Sequence, residues 1–168
     1  YNVIIDKLLE GIDVKLETDF FKEREYFESV ADKIVFTGMI DEFYNYKFGE
    51  LEYRSLKFES EVLNEENHQG NAVINYTEYE VPYTRIIEHK HFENVQSDKT
   101  VITHEYPKTW TKNEEAYYPI NDERNSALYE KYNKLAKKES KILFGGRLGM
   151  YKYMNMDEVI KEALNLVE

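Results

Sequence analysis

Two periods alternate in the apolar positions of this chain. Ile5, Leu8 and Leu9 share one face of a helical pattern over residues 2–9, which Gly11 stops. "GIDVKLETDF" then reads as a short strand. "KIVFTG", residues 33–38, reads as a continuous apolar strand ending in a glycine, of the kind that lies inside a sheet covered on both faces. Longer alternating segments follow: "EYRSLKFESEVL", "GNAVINYTEYE", "TRIIEHKHFE" and "TVITHEYPKTW". They are rich in Val, Ile, Thr, Tyr and Phe, which suits half-buried antiparallel strands. "NEENHQ" and "NVQSDK" are polar turns between them.

The period then returns to helical. A helix starts at Asn121 or Asp122, carries Leu128, Tyr132 and Leu135 on one stripe, and ends in a lysine-rich turn that suits its dipole. Ile142 to Phe144 is a strand that runs into Gly145 and Gly146. Asn155 heads a last helix: Glu158 completes a capping box, and Ile160, Ala163, Leu164 and Val167 form the stripe expected to be buried. The pattern predicts an α+β fold with a mostly antiparallel sheet of about six strands and flanking helices.

Composition narrows the class. At 168 residues the chain is long enough for one core without disulfides, and it has no cysteine. No apolar run approaches the roughly 20 residues of a membrane helix, so a soluble, cytoplasmic protein is expected. A net charge of −11 argues against nucleic acid as a partner, because phosphate contacts need clustered cations. Any anionic ligand must be held by a few of the five arginines, Arg24, Arg54, Arg85, Arg124 and Arg147. The chain opens on Tyr1 and already inside a helical pattern, and it reads as cut from something longer.

The stretch "ILFGGRLGMYKYMN" carries candidate chemistry. Two successive glycines let a backbone approach a ligand closely or take positive φ. Arg147 follows them, a planar cation with five donors suited to an oxyanion or an electron-rich ring edge. The amides at the start of the last helix, Met156 and Asp157 among them, form an anion site. A glycine turn before a surface helix, with no ligand, is the competing reading of the same residues. His89 and His91 alternate, which would put both rings on one strand face, but no third ligand stands at a characteristic spacing and no metal is expected.

Four blocks carry a resemblance: "VFTGMIDEFYNYKFGELEYRSLKFE", "GNAVINYTEYEVPYTRIIEHKHFE", "YYPINDERN" and "ILFGGRLGMYKYMNMDEVI". In order and spacing they resemble the carboxyl-terminal half of the UDP-galactopyranose mutase family, from about Tyr1 to the end. The family's glycine-rich FAD fingerprint and its helical substrate lid have no counterpart in these residues. The resemblance therefore implies residues 1–50 as part of an FAD-binding domain, 51–120 as an antiparallel substrate sheet, and 121–168 as a return to the FAD domain. It implies an isomerase that converts UDP-galactopyranose to UDP-galactofuranose with no net redox change, using reduced FAD, whose N5 atom attacks the anomeric carbon while UDP departs. A homodimer is the partner expectation for the full-length protein.

Residue by residue, the resemblance implies that Arg85 grips the diphosphate and that the hydroxyls of Tyr118 and Tyr153 reach it. Asn75 matches a contact to the nucleotide-sugar, and Arg147 matches the arginine beside the flavin. Asn155 stands where many members have an aspartate near the substrate, so the cap is kept and the charge is not. Met156 and Asp157 match backbone near the flavin, and Val14 matches a strand near the adenine. Arg54 lies in a matching block without a decided role. A second reading of the same residues is a non-catalytic nucleotide-sugar or carbohydrate binding module.

Overall fold

The structure, a computed structural model, describes residues 2–112 and 114–166. In chain order the elements are α1 (Asn2–Leu8), α2 (Arg24–Val30), β1 (Ile34–Phe36), α3 (Ile40–Phe43), β2 (Tyr53–Leu63), β3 (Val73–Asn75) and β4 (Arg85–Glu88). They continue with α4 (Lys90–Glu93), β5 (Thr100–Thr109), β6 (Tyr118–Pro119), α5 (Glu123–Ala136), β7 (Ile142–Phe144), α6 (Gly146–Gly149) and α7 (Met156–Asn165). The fold is α+β, and the chain divides into two compact units, residues 1–34 and 35–168. No helix among the described residues is long and apolar enough to cross a membrane.

In the first unit neither helix buries a residue. Phe20 stacks on Phe27 with centroids 6.1 Å apart, and Arg24 Nε donates to Glu28 Oε1 at 2.6 Å one turn on. Gly11 does stop α1, at φ +78°. "GIDVKLETDF" is not a strand: residues 12–16 pair with no strand among the described residues, and an extended segment without a ladder has nothing to hold it.

The second unit holds a five-stranded antiparallel sheet in the order β3-β4-β5-β2-β6. Five strands stand where about six were expected. β1 pairs with β7 in a separate two-stranded sheet. Only Phe36 of β1 is buried and Val35 is exposed, so this strand is not covered on both faces. "TRIIEHKHFE" also departs from expectation, since β4 ends at Glu88 and α4 begins at Lys90. His89 and His91 therefore do not share a strand face. Instead His89 Nε2 lies 2.7 Å from Thr103 Oγ1, and His91 Nε2 lies 3.0 Å from Glu88 Oε2.

The core sits at one end of the sheet, where Ile40, Leu51, Tyr53, Tyr132 and Tyr151 pack together. Asp41 is fully buried there: its carboxylate accepts from Leu51 N at 2.8 Å and from the Tyr53 hydroxyl at 3.0 Å. Burial pushes this carboxyl above its ordinary value, against the pull of those two donors. Asp122 caps α5 by accepting from Asn125 N at 2.7 Å, as the sequence predicts, and α5 buries Tyr132 with Leu128 half-buried against the same cluster.

At the other end of β4, Glu88 is fully buried and accepts from the amides of His68 at 3.0 Å and Gln69 at 2.9 Å, and from the Thr100 hydroxyl at 2.7 Å. Burial alone would raise this carboxyl. The amides of Gln69 and His68, with Thr100 and His91, outweigh it and hold the group at about 2.

Two outcomes follow for stability. Asp41→Ala leaves a buried amide and a buried hydroxyl without partners and should cost about 2–4 kcal/mol in urea unfolding. Glu88 is ionised well below its ordinary value of 4.5, so its contribution is complete above that pH and fades as pH falls toward 2. Glu88→Gln should therefore be less stable than the parent near neutrality, with the gap closing between pH 4.5 and 2; a gap of constant size across that window would contradict the account.

Candidate functional site

Strand register decides which side chains meet. Residues opposite one another in adjacent strands share a face of the sheet. Asn75 stands opposite Arg85, Arg85 opposite Glu105, and Glu105 opposite Phe58, which makes one row across β3, β4, β5 and β2. A second row on the same face runs from Tyr118 through Arg54 to Thr109. Between them opens a groove of about 610 Å³ whose lining includes Arg54, Arg85, Glu105, Lys108, Tyr118 and Tyr153.

Arg85 is half-buried beside Glu105, with Nε 3.3 Å from Oε1. The pair is close but not aligned for a hydrogen bond, and Arg85 Nε is a buried donor without a partner among the described residues. Glu105 is steadied instead by the Thr84 hydroxyl, which donates to Oε1 at 3.1 Å. Tyr118 faces Tyr153, with ring centroids 5.6 Å apart. Burial raises the Tyr118 hydroxyl above its ordinary value, the Glu105 carboxylate adds to this, and the group is a donor at neutral pH.

The segment after β7 brings Arg147 to the two tyrosines. Its guanidinium carbon lies 5.0 Å from the Tyr153 ring centre and 5.9 Å from that of Tyr118. Arg147 Nε donates to Met154 O at 2.6 Å, Lys152 N donates to Arg147 O at 2.9 Å, and Met154 is fully buried. The glycines of this segment answer to packing. Gly146 has φ +69° and lies against Thr37, and a methyl group on Gly149 would meet Phe36 O at 2.8 Å.

The other expected positions are dispersed. Asn75 is exposed on β3, in the row of Arg85 but not among the groove's lining residues. Asn155 caps α7 and forms the expected capping box, its own amide donating to Glu158 Oε2 at 2.7 Å. Met156 and Asp157 are exposed in the first turn of α7. The expected buried stripe of that helix is exposed at Ile160, Ala163 and Leu164, because the described residues offer no surface to cover it; Val167 lies outside the described residues. Val14 is exposed, in the irregular segment of the first unit. Sequence reasoning passed over Glu105 and Thr84. A lone acid in the β-branched run of β5 was the available signal, but it acquires meaning only through the register with Arg85.

In charge terms the groove is unlike the rest of the chain. Arg54, Arg85 and Arg147 are three of the five arginines, gathered in a protein of net charge −11. Lys108 is paired with Glu114. Cations and tyrosine hydroxyls converging on a concave face suit a phosphate-bearing ligand.

The UDP-galactopyranose mutase family model matches residues 1–153. The chain is 42% identical over 161 residues to a probable UDP-galactopyranose mutase of Klebsiella pneumoniae, a match covering 95% of this chain and 41% of the relative. It is 39% identical over 136 residues to the dTDP-fucopyranose mutase of Escherichia coli, covering 80% of this chain and 36% of the relative. The UDP-galactopyranose mutase of Mycoplasma pneumoniae is 35% identical over 147 residues, covering 84% of this chain and 37% of the relative. The chain thus spans about two fifths of the length of these relatives.

The tight contact at Gly149 generates a prediction. Gly149→Ala forces a methyl group onto a backbone carbonyl and should cost about 2 kcal/mol, read as a lower thermal midpoint. An unchanged midpoint would mean that α6 and β1 are not packed as described.

Proposed function

Because this chain belongs to the UDP-galactopyranose mutase family, we propose that it carries the diphosphate-binding face of an isomerase that interconverts UDP-galactopyranose and UDP-galactofuranose. The observation that supports this reading is the convergence of Arg54, Arg85, Tyr118 and Tyr153 on one groove, with Arg147 against both tyrosines.

As the bond to the anomeric carbon breaks, negative charge grows on the departing diphosphate. Arg85, half-buried and with an unsatisfied Nε donor, is held where it can strengthen its hydrogen bonds to that charge, and Glu105 limits where the guanidinium can swing. Arg54 adds a second cation from β2, directly opposite Tyr118. The Tyr118 and Tyr153 hydroxyls contribute neutral donors that gain strength as the charge develops, so they act on the rate as well as on binding.

Reduced FAD, when bound, would supply the nucleophile for the anomeric carbon through its N5 atom. The residues present fit such a group. Arg147 is immobilised by its bond to Met154 O and by two rings, with no carboxylate within ion-pair distance among the described residues, so its charge is available to an electron-rich ring. Met156 and Asp157 would meet the flavin through backbone amides. On this reading β1, β7 and α7 complete an FAD-binding domain, the substrate is a nucleoside diphosphate sugar, and residues 1–168 alone bind nucleotide without turnover.

Calorimetric titration of UDP into the chain tests the proposal. Micromolar binding is expected, and Arg85→Ala should weaken it about 10- to 100-fold, the worth of one charge-assisted hydrogen bond or two. Equal affinity of parent and variant would remove Arg85 from the diphosphate site. No binding by the parent would mean that the groove is not a nucleotide site in this chain. Parallel titration with dTDP distinguishes the two mutase specificities represented among the relatives.

A further inference from the structure

We infer that Tyr151 is a positioning residue, which holds Tyr153 on the groove through a left-handed backbone and a buried hydroxyl. The inference rests on the reading of the groove as a diphosphate site.

Tyr151 has φ +47°, a conformation that a bulky aromatic residue adopts only when its surroundings impose it. Strain of this kind gathers where a chain must aim a side chain. The imposing contacts are plain. The ring is 5% exposed, stacked on Tyr129 at 5.7 Å and edge-on to Tyr53 at 5.4 Å. Its hydroxyl lies 2.6 Å from Glu52 O and 3.0 Å from Ile120 O, so its one proton serves both carbonyls.

Those two carbonyls lie one residue beyond the β2-β6 strand pair that forms the groove wall. Ile120 N donates to Glu52 O at 3.0 Å, and the next pairs outward join Tyr53 to Pro119 and Arg54 to Tyr118. A single hydroxyl therefore ties the loop after α6 to both strands that carry Arg54 and Tyr118. On the loop itself, Arg147 and Met154 close a ring of contacts around Tyr151 through Arg147 Nε to Met154 O and Lys152 N to Arg147 O. The left-handed residue turns the chain, and two residues later Tyr153 projects into the groove opposite Tyr118. Glycine would give the turn without strain and phenylalanine would fill the core without the hydroxyl. The residue present does both and adds the anchor.

The test is UDP calorimetry on the full 168-residue chain, with sucrose present to favour the folded state of weakened variants. Tyr151→Phe should lose about tenfold in UDP affinity. Combined with Tyr153→Phe it should lose little more than Tyr153→Phe alone, since both act through one hydroxyl at the ligand. Tyr132→Phe is the control: Tyr132 donates an equally buried hydroxyl to Gly49 O at 2.6 Å, away from the groove, and its loss should lower the thermal midpoint without changing UDP affinity. The inference is overturned if Tyr151→Phe binds UDP as the parent does, or if the Tyr151 and Tyr153 losses multiply in the double variant. Failure of the parent to bind UDP overturns the groove reading itself, an outcome distinct from both.

Discussion

Backbone polar groups buried away from water must find partners, and in this protein that constraint concentrates on Leu51 and Glu52. Leu51 N is taken by Asp41, Glu52 N by Asn125, and Glu52 O by both Ile120 N and the Tyr151 hydroxyl. The Glu52 carboxylate accepts from Arg124 and Asn125, and the Tyr53 hydroxyl returns to Asp41. Helices α3 and α5, the end of β6 and the loop after α6 are thus joined at the entry to β2. The strand leaves this junction with its register set, and the arginines and tyrosines downstream inherit their positions from it.

The groove lies immediately beyond that junction. Tyr118 and Arg54 are held by the β2-β6 pair, Arg85 and Glu105 by β4 and β5, and Tyr153 by the loop that Tyr151 anchors. Gathering like charges costs energy, and a strongly acidic chain offers many carboxylates that could neutralise them. Among the described residues only Glu105 stands beside Arg85, misaligned for a hydrogen bond, while Arg147 is kept in place by a carbonyl and two rings. An arrangement of cations that are fixed but incompletely paired is what a doubly charged diphosphate can complete.

Much of this was legible in the sequence. Alternation marked β2 and β5, the cap at Asp122 marked α5, and Asn155 with Glu158 marked the start of α7. Motif context singled out Arg85, Tyr118, Tyr153 and Arg147, and they converge. The departures have physical reasons. Alternating histidines suggested a continuing strand, but the chain turns into α4 at Lys90 once Glu88 has been captured by the 68–69 amides. The apolar runs at residues 12–16 and along α7 carry the right period and no partner among the described residues, and periodicity does not report whether a partner is present. Tyr151 left no signal because its role is a backbone angle and two carbonyl contacts made across 31 and 99 residues.

On the reading proposed above, one face of this sheet is a preformed site for a nucleoside diphosphate. Two-dimensional NMR of the chain, labelled at backbone amides and arginine Nε, would test it most directly during a UDP titration. The account predicts saturable shifts at Arg54, Arg85, Tyr118, Arg147 and Tyr153, and none at Tyr83 or His104, which pack together at 4.7 Å, His104 on the reverse face. Shifts confined to the reverse face, or no shifts at millimolar UDP, would contradict it.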